Sequence, residues 1–87
     1  MEEKVSDEVL RELLRDCPMV GKLFKHYKTD GTYEVIARTI EEATQRPLVI
    51  YQNIVSGLTF ARPLREWKEK CFVPERREWV ERFQEVT

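Results

Sequence analysis

Aromatic and basic side chains recur through the middle of this chain, and together they could recognise one kind of ligand. A planar, permanently charged guanidinium beside aromatic rings suits a molecule that carries an anionic group and a flat ring. A nucleotide is such a molecule, and so is a peptide that carries a carboxylate. The side chains with this chemistry are Phe24, His26, Tyr27, Lys28, Tyr33, Tyr51, Arg62 and Trp67.

A structural role competes with this interpretation. Phe24, Tyr33 and Trp67 are large rings of the kind that a small domain buries in its core. Arg62 could pair with an acidic neighbour instead of a ligand. For the aromatic residues the sequence favours the core, whereas for Arg62 and His26 it favours neither role.

Other chemistries find less support in the sequence. There is no G-x-S-x-G elbow, no glycine-rich phosphate loop and no CxxC spacing. One histidine and two cysteines cannot supply four zinc ligands without help from carboxylates. A dyad of His26 with Cys17 or Cys71 stays open, although small cysteines usually pack in cores. We therefore predict a non-enzymatic protein with no catalytic residues, no cofactor and no metal site.

Composition limits the partners and the compartment. The 87 residues correspond to one domain, and 15 basic and 16 acidic residues leave a net charge of −1. This balance argues against nonspecific nucleic-acid binding, which needs a basic excess to release counterions. The sequence shows neither a secretory signal nor a membrane span. We expect a cytoplasmic protein whose Cys17 and Cys71 are free thiols.

The N-terminal segment VSDEVLRELLRDC, residues 5–17, predicts an amphipathic helix. Ser6 or Asp7 can cap its start, and Pro18 ends it. A helix this short must pack on something, and the domain's own sheet is favoured over a partner protein. The apolar stripe is nevertheless wide, which predicts a homo-oligomer with the helix at its interface. The stripe consists of Val5, Val9, Leu10, Leu13, Leu14 and Cys17.

From residue 22 onward the pattern changes to short alternating strands separated by turns. The strands are predicted in LFKHYK, TYEVIARTIEE, PLVIYQNIV and LTFARP. The third of these is rich in β-branched residues and is expected to be the central strand, and Pro63 should end the fourth. The tail FVPERREWVERFQEVT fits either a helix or a strand. Such a pattern is typical of a small antiparallel barrel or sandwich.

The segments KHYK, YEVIAR, PLVIYQ and ARPLREW, in this order, resemble a short domain family of bacteria and phages with no known function. The resemblance covers about residues 23–68 and extends less clearly into the tail, and it implies a small SH3-like β-barrel. The N-terminal helix is an addition to this core, and we expect it, in residues 1–20, to pack on a barrel domain of residues 21–87. The expected fold class is therefore α+β. Thr39 stands where the family pattern has a histidine. The matching positions are His26, Tyr27, Lys28, Tyr33, Tyr51, Arg62, Pro63 and Trp67.

In this pattern Arg62-Pro63 ends a barrel strand, Trp67 folds back as a lid, and Arg62 stands at the barrel mouth. We expect a binding protein that captures a small anionic, nucleotide-like ligand there or at a subunit interface. Analogy with the family further suggests that the protein is encoded by a phage and sequesters a nucleotide in the host cytoplasm. The alternatives are an adaptor that docks a peptide or partner on the same surface and, more weakly, a small hydrolase.

Overall fold

The computed structural model describes residues 5–86, and residues 1–4 of the predicted helical segment lie outside this range, as does Thr87. The described chain forms an N-terminal helix, a 3-10 turn and a strand-rich remainder. The elements are α1 (Asp7–Leu13), the 3-10 turn (Leu14–Asp16), β1 (Leu23–His26), β2 (Thr32–Glu41), β3 (Arg46–Asn53), β4 (Thr59–Pro63), α2 (Leu64–Trp67), β5 (Lys70–Val73), β6 (Glu78–Glu81) and β7 (Phe83–Glu85).

Five of the strands form one antiparallel sheet in the order β4-β3-β2-β1-β7. The middle strand is β2, so the expectation that PLVIYQNIV forms the central strand is wrong. That segment is β3, which still has a neighbour on each side. This interior position explains its β-branched composition, because both of its edges are hydrogen-bonded and Val49 is fully buried.

The sheet is open: among the described residues β4 and β7 each pair with one strand only. In a flat sheet these two edges would lie about 19 Å apart, since neighbouring strands are spaced by about 4.8 Å. Arg62 Cζ of β4 nevertheless lies 5.9 Å from the centre of the Phe83 ring of β7. The sheet therefore curls until side chains of its two edges meet, and we call this line of contact the seam. Among residues 5–86 no hydrogen-bonded ladder joins β4 to β7, so the sheet does not close into the predicted barrel.

A β-bulge in β2 changes which side chains face the core. The pairing of β2 with β3 shifts register between Val35 and Ala37. Val35 stands opposite Tyr51 before the bulge, and Arg38 stands opposite Val49 after it. Directly opposed residues point to the same face, so Val35 and Arg38 share the inner face. The alternation of faces expected from the sequence, which places Val35 and Ala37 on the same face, is therefore wrong after the bulge.

The core is a cluster of aromatic and aliphatic side chains centred on Trp67. The Trp67 ring is stacked on Phe83, with centroids 3.8 Å apart and planes at 7°. Phe24 and Tyr51 meet the same indole at 5.2 Å and 5.1 Å. Trp67 is buried and covers the interior as part of this core. The cluster comprises Cys17, Phe24, Val35, Val49, Tyr51, Leu64, Trp67 and Phe83.

Pro63 and the single turn of α2 explain how Trp67 reaches the core. Pro63 pairs with Leu48 at the end of β4 and is the N-cap residue of α2. Residues three apart lie on one face of a helix, so Leu64 and Trp67 point inward together and both are buried. The proline therefore ends the strand, as predicted, and the helix after it covers the interior.

The N-terminal helix is shorter than predicted, because α1 ends at Leu13 and a 3-10 turn continues to Asp16. Ser6 is its cap: the backbone N–H of Val9 donates to Ser6 Oγ at 3.3 Å. The apolar stripe is divided between core and solvent. Leu14 packs on the core and Cys17 is buried, whereas Val9 is 48% exposed.

The tail forms strands and no helix. β5 and β6 pair with each other, with Phe72 opposite Trp79, and β7 follows at the edge of the large sheet. We call the β5–β6 hairpin, residues 70–81, the ribbon. Both cysteines are free thiols: Cys17 is buried and Cys71, on β5, is half-buried.

Candidate functional site

Arg62 is the central polar residue of the seam. Its position opposite Val49 directs it to the inner face of the curled sheet. Arg62 Nε donates to Tyr51 Oη at 3.3 Å, and a terminal nitrogen lies 3.5 Å from Glu66 Oε1. With its side chain 27% exposed and its guanidinium above Phe83, Arg62 is oriented by residues of β3, α2 and β7.

Aromatic rings share the inner face of the sheet with this guanidinium. Tyr33 meets Tyr51 at 5.5 Å, Phe83 at 6.1 Å and Phe60 at 6.2 Å, each in an edge-to-face arrangement. Tyr51 and Phe83 form the buried floor, whereas Phe60 is exposed and Tyr33 is half-buried. Tyr33 and Phe60 therefore offer accessible aromatic surface beside a cation, which is the combination that the sequence suggested.

His26 adds a neutral hydrogen-bonding group to the seam. Its ring lies 5.1 Å from Phe83, edge to face. Nδ1 accepts from the backbone N–H groups of Lys28 and Thr29, at 3.2 Å and 3.4 Å. Burial lowers the pKa of His26 below its usual 6.5, and the charges of Arg62, Arg82 and Lys28 lower it further. At neutral pH the imidazole is therefore uncharged, with its proton on Nε2.

The structure divides the predicted binding residues into three groups. His26, Tyr33, Tyr51 and Arg62 come together at the seam. Trp67 lies beneath them as core. Tyr27 and Lys28 continue into the β1–β2 turn and line a different cleft, of about 400 Å³. The ribbon forms the other side of that cleft with Phe72, Val73, Pro74, Glu75 and Arg76.

Sequence reasoning missed several residues that shape the seam, above all Arg82. Arg82 Nε donates to the backbone oxygen of Glu66 at 3.0 Å, and Nη2 lies 3.1 Å from Glu69 Oε1. These contacts fasten the end of α2 to the residue that precedes β7. In the sequence Arg82 belongs to a run of mixed charge, which resembles solvated surface. Phe60, Glu66 and Phe83 were missed because strand alternation does not show that two distant edges meet.

Among residues 5–86, no group of three or more His, Cys, Asp or Glu side chains could hold a metal ion. None of the helices in the same range is long and apolar enough to cross a membrane.

The fold and the seam define a small domain built on a curled, open antiparallel sheet. The family model of DUF1653, described as a protein of unknown function, matches residues 22–85. The match runs from just before β1 to the end of β7 and includes every seam residue, while α1 lies outside it. The chain therefore belongs to the DUF1653 family, and the expected membership in a family without known function is confirmed. No curated protein and no solved structure matches the chain.

Proposed function

We propose that the protein binds a small anionic, nucleotide-like ligand at the seam and does so without catalysis. The observation that carries this proposal is the setting of Arg62. Its guanidinium is half-buried and held in place by Tyr51, and its carboxylate partner among the described residues, Glu66, stands at the long distance of 3.5 Å. An arginine held this way has donors to spare for an incoming anion.

A phosphate in this site would take the place of the Glu66 carboxylate on Arg62. The guanidinium can make two parallel bonds to phosphate oxygens, which adds orientation as well as energy. A base or other flat ring would lie against Phe60 and Tyr33, where aromatic surface is accessible. His26 would contribute its Nε2 proton as a neutral donor, because Nδ1 is already engaged by the backbone.

The expected contribution of Arg62 is measurable. A hydrogen bond between charged partners contributes about 1.5 to 3 kcal/mol, or roughly ten- to a hundredfold in affinity. Arg62→Ala should remove that much binding. Arg62→Lys should restore only part of it, because an ammonium group cannot make the two-pronged contact.

A thermal-shift screen against nucleotides and cyclic dinucleotides tests the proposal. A ligand that binds the folded state alone raises the melting temperature by mass action. We expect a shift with the wild type, a much smaller shift with Arg62→Ala and an unchanged shift with Arg65→Ala, an exposed arginine of the adjoining helix α2. The proposal fails if no compound of the panel shifts the wild type, or if Arg62→Ala responds like the wild type.

The biological setting is part of the same proposal. In this setting a phage-encoded protein sequesters a signalling nucleotide in the cytoplasm of its host. Sequestration requires tight binding, so the ligand should stay bound during purification. Native mass spectrometry of protein purified from cells should then show a retained small molecule, and denaturation should release it for identification.

A second candidate is an adaptor that docks a partner protein on the same side of the molecule. It is favoured by the exposed apolar residues Ile54, Val55 and Leu58 at the β3–β4 turn, next to Phe60. A contiguous apolar surface of this kind is typical of protein contacts. Leu58→Glu should abolish partner binding if the adaptor proposal is right, while leaving any nucleotide-induced thermal shift unchanged.

A further inference from the structure

The large sheet has a gap at the point where β3 extends beyond β4. Pro63, the last residue of β4, pairs with Leu48, whereas β3 begins two residues earlier, at Arg46. Arg46 and Pro47 therefore have a strand neighbour on the β2 side only. The chain leaves the sheet here to form α2, and a cavity of about 320 Å³ remains between the start of β3, α2 and the 3-10 turn. We call this cavity the notch.

The floor of the notch is apolar. It consists of Leu64, which is buried, and of Pro47 and Pro63, which are half-buried. Pockets that enclose a small ligand have volumes of about 300 to 1,000 Å³, so the notch is at the lower limit of this range. It is also open to solvent. A site of this size and shape fits an inserted apolar side chain better than an enclosed small molecule.

The rim of the notch is basic. Arg46, Arg65 and Lys68 are exposed and line it together with one carboxylate, that of Asp16, so the lining has a net charge of +2. The protein as a whole has a net charge of −1. Asp16 pairs with Lys68 at the long distance of 3.9 Å. Within residues 5–86, neither arginine of the rim has a carboxylate oxygen within 4.0 Å.

The surroundings of the notch do not reverse this charge. Glu41 of the neighbouring strand β2 lies outside the lining, and its carboxylate accepts from a threonine hydroxyl at 2.7 Å. The buried Cys17 directly follows Asp16. Burial raises the pKa of its thiol, whereas the positive charges of Arg38 and Lys68 lower it, each more strongly than the Asp16 carboxylate raises it. The electrostatic field beside the notch is therefore positive.

We propose that the notch docks an acidic segment of a partner protein: an apolar side chain of that segment enters the notch, and flanking carboxylates pair with Arg46 and Arg65. Charge complementarity determines this choice, because a neutral or basic segment would leave both guanidinium groups without a partner. Arginine clusters are an established way to recognise acidic motifs. A nucleic acid would match the charge but has no apolar side chain for the floor. The proposal does not depend on the ligand proposed for the seam.

A titration of the ¹⁵N-labelled full chain with synthetic peptides tests the proposal by nuclear magnetic resonance. The probe is a five-residue peptide with blocked ends, in which a central leucine is flanked by two glutamates on each side. We expect the amide signals of Leu64, Arg65 and Lys68 to shift, with a Kd of about 0.1 to 1 mM. The same peptide with a central glycine should bind about tenfold more weakly or worse, because it leaves the floor uncovered.

Neutralisation of the rim tests the charged part of the contact. Arg46→Gln and Arg65→Gln should each weaken binding of the leucine peptide about threefold, and the two together about tenfold. Both side chains are exposed, so the melting temperature should change little. Arg77→Gln is the matched control: it removes one exposed positive charge from the turn between β5 and β6 and should bind the peptide like the wild type.

The proposal commits to a charged rim and an apolar floor, and each can fail separately. Equal binding of the glycine peptide, or equal shifts with inorganic phosphate, would show an anion site without an apolar component. Equal weakening by Arg77→Gln and Arg65→Gln would show an effect of net charge alone. Each of these outcomes overturns the proposal, and so does the absence of shifts at the notch with the leucine peptide at about 5 mM.

Discussion

The seam and the ribbon each contain a pair of aromatic rings, and the two pairs have opposite environments. Trp67 and Phe83 are parallel, 3.8 Å apart and buried. Phe72 and Trp79 are tilted by 58°, 5.4 Å apart and exposed. The sequence around both pairs is similar, since each tryptophan follows a glutamate within a run of charged residues.

The difference comes from topology and not from residue type. Trp67 lies on a one-turn helix between the two edges of a curled sheet, so both edges contribute side chains that cover it. Trp79 lies on a strand whose hairpin has no third strand beside it among the described residues. Whether a tryptophan in a charged segment is buried or exposed therefore depends on whether neighbouring elements of the fold cover it.

Truncation of the two tryptophans should give the largest contrast. Trp67→Ala removes a ring at the centre of the core and should cost about 3 to 5 kcal/mol, which is a large part of the stability of a small domain. Trp79→Ala should change the free energy of unfolding of the monomer by no more than about 0.5 kcal/mol. Denaturant unfolding at low protein concentration measures both. Equal losses would show that the ribbon is packed as tightly as the seam.

Two arginines allow the same comparison for ion pairs. Arg82→Met removes the hydrogen bond to the Glu66 backbone oxygen and the ion pair with Glu69 but keeps an apolar stem, and should cost about 1.5 to 3 kcal/mol. Arg76→Met removes an exposed pair with Glu78 in the ribbon and should cost no more than about 0.5 kcal/mol. Chemical denaturation of both variants checks this. If Arg82→Met loses no more stability than Arg76→Met, Arg82 does not stabilise the fold through these contacts.

The smallest expected effect concerns pH, and it is confined to the seam because the chain has one histidine. The pKa of His26 is lowered in the folded state, so the unfolded chain binds the proton at higher pH. The stability is therefore complete above the unfolded pKa of 6.5 and declines as the pH falls through that value toward the lower folded pKa.

His26→Asn should flatten this dependence, because an amide oxygen can still accept from the backbone near the position of Nδ1 but does not titrate. Melting temperatures measured at about pH 7.5 and about pH 5.5 should fall more for the wild type than for the variant. An identical slope in the two proteins would mean that His26 is not desolvated in the folded state.

Local features of the fold were predictable because short-range chemistry determines them. The cap at Ser6, the strand end at Pro63 and the strands before it follow from side-chain hydrogen bonding, the missing proline N–H and alternation. The tail was ambiguous because Trp79 and Phe83 fit a period of two and a helical stripe equally well. The bulge after Val35 was not predictable, since one extra residue leaves no mark on composition.

The candidate site was predictable only in part, because some of its residues are brought there by long-range structure. Arg62, Tyr33, Tyr51 and His26 were identified from their chemistry, and the structure brings them together. Phe83 and Arg82 were missed, because they reach the site through the curl of the sheet, which depends on accumulated strand twist and not on any one segment. Tyr27 and Lys28 were included for their aromatic and basic chemistry and their match to the family pattern, yet the turn after β1 carries them to another cleft.

The seam also has a kinetic consequence, because among the described residues no ladder hydrogen bond joins β4 to β7. The two edges can separate by a small change in curl while every ladder hydrogen bond stays intact, so the interior opens more readily than the sheet unfolds. Amide protons of β2 and β3, which have partners on both sides, should exchange with solvent only through global unfolding. Those of β4 and β7 should exchange through local breathing, and this breathing would set how fast a ligand enters and leaves.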